Sequence, residues 1–152
     1  MKREILFRGK RTDNGQWAQG YIVEQNIPEY HAYIITDFCA EVDDRHVDIL
    51  ECDINEVGPS TVGQYTGLTD KNEKRIFEGD VVEFPNMRGN HKFRIYWSDD
   101  IASFCMKHIG EQLQWTPCCN LGTVATCTVI GNIHDTPELM NHERTTRKEI
   151  ER

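Results

Sequence analysis

Apolar side chains in this chain recur at every second position, in short runs cut by glycine, asparagine, aspartate and proline. Ile5 and Phe7 alternate with charged neighbours in REILFRG, and Phe93, Ile95 and Trp97 share one side of HKFRIYW. A period of two fits extended strands, whose successive side chains point to opposite faces. Runs this short, broken this often by turn residues, specify an antiparallel β protein rather than a helical one. The expected fold class is therefore mainly β, α+β at most.

In the first part of the chain, Asn14-Gly15 within DNGQ signals a tight type I′ hairpin, and WAQGYIV returns as the partner strand. HAYIITDFCA and HVDILEC follow as further strands, so residues 1–57 read as an antiparallel meander. Val57-Gly58-Pro59-Ser60 marks a boundary. Residues 58–135 hold more short strands, around a hairpin loop at Thr69–Glu73 and a tight turn at Glu78-Gly79-Asp80. A hairpin around Gly110 joins Ile101–Ile109 to Glu111–Trp115. Thr136-Pro137-Glu138 reads as a helix start, Thr136 capping and Pro137 in the first position. Residues 136–152 are then a short C-terminal helix fraying into solvent.

The 152 residues carry 17 Lys and Arg against 25 Asp and Glu, a formal net charge of −8. That balance opposes nonspecific binding to a phosphate backbone and favours a protein partner over nucleic acid. The charge is uneven. Lys2, Arg3, Arg8, Lys10 and Arg11 face Glu4 alone at the start, whereas residues 37–56 set eight acids against Arg45. Such asymmetry serves either an internal match between strands or a surface for a partner. No apolar run suggests a membrane span or a signal peptide, so the expected location is the cytoplasm of the host cell. The six cysteines are expected as reduced thiols with no zinc-type pairing of short spacings. Open edges of the meander make a homo-oligomer an additional expectation.

No nucleophile elbow, no cysteine paired by motif with histidine and no phosphate-binding glycine loop is present, so no catalytic residue, metal or cofactor is assigned. Asp44, His46 and Asp48, on one strand face, and Cys105, His108, Cys118 and Cys119 are what a small metal- or ligand-binding enzyme would have to use.

RGKR, DNGQWAQGY, the long run TVGQYTGLTDKNEKRIFEGDVV and VIGNIHDTPELM together resemble the YopX family of phage and prophage proteins. The resemblance covers most of the chain in order and is slight between Glu83 and Thr128. It implies a small cytoplasmic β-rich protein in a phage setting, with the part from about Val57 onward similar to an SH3-type barrel, and supplies no catalytic residues. The glycine of the family's DKNG loop is replaced by Glu73, implying a different turn there.

The run Thr61–Glu83 is then read chiefly as scaffold. Gly63, Gly67 and Gly79 suit the corners of a small barrel, and Asp80 locks an Asx-type turn, as Asn14 and Gly15 serve the first hairpin. Gln64 and Tyr65, between two glycines, with Arg75, Arg88, Lys92 and Arg94 nearby, are the candidate partner-binding residues. For Tyr65 itself the favoured reading is a buried side chain that anchors the corner, with a hydroxyl finishing the turn. For the protein as a whole the primary reading is a non-enzymatic protein-binding module. The alternative is nucleic-acid binding by the basic strip of Arg75, Arg88, Lys92 and Arg94.

Overall fold

The computed structural model describes residues 4–26, 28–86, 89–110, 124 and 126–140. Ten strands run through them: β1 (Phe7–Lys10), β2 (Trp17–Gln25), β3 (His31–Val42), β4 (Val47–Val57), β5 (Gly63–Thr69), β6 (Arg75–Phe77), β7 (Asp80–Asn86), β8 (Gly89–Ser98), β9 (Ser103–His108) and β10 (Thr128–Asn132). Short 3-10 turns lie at Pro59–Thr61 and Pro137–Met140. The class is mainly β. The strands form two antiparallel sheets, in the orders β4-β3-β2-β1-β5-β6 and β10-β7-β8-β9. The chain divides into two compact units, Met1–Gly67 and Leu68–Arg152.

In the first unit, alternation places Ala18, Ala32, Ile34 and Val57 in a small core, packed by Phe7, Ile22 and Val62. Two glycines let the meander curl. A Cβ on Gly20 would lie 1.9 Å from the Ile35 carbonyl oxygen, and one on Gly9 would lie 2.7 Å from Val57. The curl brings the first strand's end against the fourth. Arg11 bridges Val57, the Gly58 amide donates to the Lys10 carbonyl at 2.8 Å, and the Thr12 amide donates to that of Glu56 at 3.0 Å.

β3 and β4 are long and outrun their neighbour. β2 pairs β3 from His31 to Ile35, whereas β4 follows β3 to Val42↔Val47, with register shifts between Ile35 and Phe38 and between Cys39 and Ala40. The outer half of this hairpin is thus a two-stranded arm.

In the second unit the core gathers Ile76, Val82, Ile95, Met106, Val124, Cys127 and Val129, with Leu68, Phe84 and Phe93 against it. The expected SH3-like barrel is corrected here: the described strands contain no closed barrel. β9 and β10 end the second sheet, while β5 and β6 belong to the first.

The first hairpin also differs from expectation. Of Asn14 and Gly15, only Gly15 takes a positive φ (70°), so the turn is not type I′. β1 stops at Lys10 and β2 starts at Trp17, with the Asn14 side chain accepting from the Gln16 amide at 2.9 Å. At the other end, the described residues show a single 3-10 turn where a helix was expected. The Thr136 hydroxyl accepts from the Asn132 amide and donates to the Asn132 carbonyl, so it closes the preceding loop instead of capping a helix. Residues 141–152 of that expected helix lie outside the described residues.

Candidate functional site

The Thr61–Glu83 run folds into turns held by its own carboxylates. Asp70 is 5% exposed. Its Oδ1 accepts from the amides of Asn72 and Lys74, at 2.8 and 3.0 Å, and its Oδ2 from the amide of Val129 at 3.0 Å. The Lys71 amide in turn donates to the Cys127 carbonyl at 3.1 Å. Burial pushes the Asp70 carboxyl up, but the three backbone donors outweigh it and hold the group below its ordinary value. Burial, with the Asp70 charge second, pushes the Cys127 thiol up to about 11. This is an inert core cysteine, as Cys105 is by burial.

Asp80 is 1% exposed and accepts from the Phe77 amide at 2.8 Å, across a turn where Gly79 has φ of 84°. The Gly79 amide donates to Ile95 and its carbonyl accepts from Ile133, so the turn is pinned from two sides. Gly67 has φ of 84° inside β5 and open space where a Cβ would go, so conformation and not crowding calls for glycine there. Glu73 takes φ of 64°. The loop thus places a non-glycine residue in the left-handed region that favours glycine. The GNIHDT stretch behaves alike: Asn132 Oδ1 accepts from the amides of His134 and Asp135, and a Cβ on Gly131 would fall 2.2 Å from Thr136 Oγ1.

The candidate binding residues scatter. Tyr65 is buried, 8% exposed, and its amide donates to the Leu6 carbonyl. Gln64 is half-buried opposite Phe7, and Gly63 is buried opposite Arg8. Arg75 is exposed on β6. Lys92 and Arg94 are half-buried on one face of β8, with Glu83 opposite Lys92 and Lys107 opposite Arg94. Arg88, Cys118 and Cys119 lie outside the described residues. Asp44 and His46 are exposed near the arm's tip, and among the described residues no three His, Cys, Asp or Glu side chains are gathered as a metal would need. His91 Nδ1 lies 3.1 Å from His108 Nε2, beside Phe93.

What the sequence reading missed lies on the outer face of the first sheet. Tyr21 stands opposite Ile35 and Ile35 opposite Ile54; in the next row Val23 stands opposite Tyr33 and Tyr33 opposite Glu56. Directly opposed residues share a face. Tyr21 is 61% exposed, Val23 47% and Ile54 58%, making a contiguous apolar patch over three strands. Its rim is polar. His31 Nδ1 meets Glu56 Oε1 at 2.9 Å, and on the β1 side the Arg8 guanidinium and the Lys10 ammonium lie over Trp17, at 4.6 and 5.9 Å from the ring centre. The signal available in the sequence was the apolar residues on both faces of HAYIITDF and WAQGYIV, where a strand with one wet face shows polar residues on alternate positions.

Fold and surface together define a mainly β protein of two antiparallel sheets that displays an apolar patch on one of them. The YopX protein family model matches residues 6–141, and the chain belongs to that family. A solved structure, that of protein EF1440 from Enterococcus faecalis, is similar to it in fold, with a TM-score of 0.60 and 24% identity over 91% of this chain and 99% of that one. No curated protein matches. No helix among the described residues is long and apolar enough to cross a membrane.

Proposed function

We propose that the chain is a phage- or prophage-encoded accessory protein whose role is to bind another protein, without catalysis, through the outer face of its first sheet. The carrying observation is the exposed patch of Tyr21, Val23 and Ile54, with Tyr33 and Ile35 between them. Apolar side chains standing together in water, ringed by polar ones, mark protein-docking surfaces. Family membership supports the phage setting, and the net charge of −8 supports a protein over a nucleic acid as the partner. Pull-down from phage-infected cells tests this. A stoichiometric partner is expected, lost when Tyr21→Asp and Ile54→Asp are introduced together. A partner retained by that double variant contradicts the reading.

The second reading, nucleic-acid binding, rests on Lys107 standing opposite Arg94 beside Lys92. It requires an oligonucleotide affinity that falls steeply with salt and with Lys107→Glu.

A further inference from the structure

The arm formed by the outer halves of β3 and β4 has a free edge. β4 is the terminal strand of its sheet, and among the described residues its stretch Val47–Ile54 has ladder partners on β3 alone. The bridge of Arg11 to Val57 covers only the strand's end. An unpaired edge offers a row of amide and carbonyl groups to any extended segment of matching chemistry. A two-stranded ribbon standing by itself is also marginal in water, so a third strand adds stability where the arm has least.

Charge selects the occupant. Asp37, Glu41, Asp43, Asp44, Glu51 and Asp53 are exposed along the arm, against Arg45. A second copy pairing edge to edge would set acid against acid, as would a nucleic-acid backbone. Of the chain's own nearby cations, Arg8 and Lys10 lie over Trp17, and Arg11 clasps Asp13 through two bonds, one of 2.6 Å, with Asp53 only a lesser charge partner. The acids thus act against self-pairing while leaving the edge open to a strand of opposite sign. Beside the edge, Ile54 leads onto the patch of Ile35 and Tyr21, which would receive apolar side chains from the incoming segment.

We infer that the β4 edge takes a lysine- or arginine-rich extended segment of a partner protein as an added strand, its alternate apolar residues seated on Ile54 and the adjoining patch. This rests on the protein-binding reading and specifies its mode and its partner's chemistry.

Fluorescent heptapeptides of alternating valine and lysine, valine and glutamate, or valine and serine, titrated onto the whole chain, test it. The lysine peptide is expected to bind, weakening about tenfold from low to high salt as exposed charges are screened, and to slow amide hydrogen exchange in Val47–Ile54. In the surface variant Glu51→Lys with Asp53→Lys the preference should invert to the glutamate peptide. Equal binding of all three peptides at the patch would leave the protein-binding reading standing and overturn charge-selected strand addition. Binding of none, or protection confined to β8 and β9, would overturn this inference. A concentration-dependent dimer that protects Val47–Ile54 would put a second copy on the edge and overturn it as well.

Discussion

Asp70 shows most plainly how one side chain can secure a loop. A buried carboxylate accepting three backbone amides ties the loop of residues 70–74 to the start of β10. Asp70→Ala leaves those donors without their acceptor, and chemical denaturation should show a loss of about 3 kcal/mol. The pH dependence has a definite sign. Because the folded-state carboxyl sits below its ordinary value, its contribution is complete above the unfolded value and disappears as pH falls through the folded one. Acid titration of Asp70→Asn should therefore give a shallower loss of stability below about pH 4 than the parent chain. Glu73 argues the converse. A non-glycine residue at φ of 64° is strained, so Glu73→Gly should raise stability by about 0.5–1 kcal/mol in the same assay. A turn at Glu78-Gly79-Asp80 was legible in the sequence because turn chemistry is local; that Asp80 accepts from the Phe77 amide, three residues back, was not. Nor was the third partner of Asp70, since Val129 lies far along the chain and only the folded sheet brings its amide into reach.

Strands were legible wherever apolar residues alternate, as in HKFRIYW, although only Ile95 is fully buried there and Trp97, on the same face, is exposed. Their ends were less so. The Asn14-Gly15 pair promised a two-residue turn, but the Arg11 amide bonds to Gln16 and the strands part earlier. Likewise, Thr136 carries the sequence mark of a helix cap, yet its hydroxyl is captured by Asn132 four residues back. Local motifs state what a residue is able to do; tertiary geometry chooses among the options. Gly20 and Gly15 separate the two kinds of glycine. Gly20→Ala forces a methyl into the Ile35 carbonyl and should cost above about 4 kcal/mol, enough to prevent folding. Gly15→Ala meets open space and should cost about 1 kcal/mol, for its positive φ alone. Thermal melts of the pair decide this. At the same scale, the amides of the two-stranded arm beyond Ile35 should exchange faster than those of Ala32 and Ile34 within the core.

Across the whole molecule, two small cores support sheets whose connecting stretches are occupied with holding turns. The expected closed barrel did not follow from the glycines, because a bend permits closure without supplying the strand that completes it. The uneven charge was visible from the start, but not its placement: an acidic arm at one edge of the sheet and cations stacked on Trp17. Nor was the patch evident, because Tyr21, Ile35 and Ile54 are distant in sequence and meet only through strand register. Hydrogen exchange of the chain with and without a captured partner tests the central claim most directly. The account predicts protection at Tyr21–Gln25 and Val47–Val57, with Gln64, Arg75, Lys92 and Arg94 unchanged. Protection centred on those four residues, with the first sheet unaltered, would contradict it.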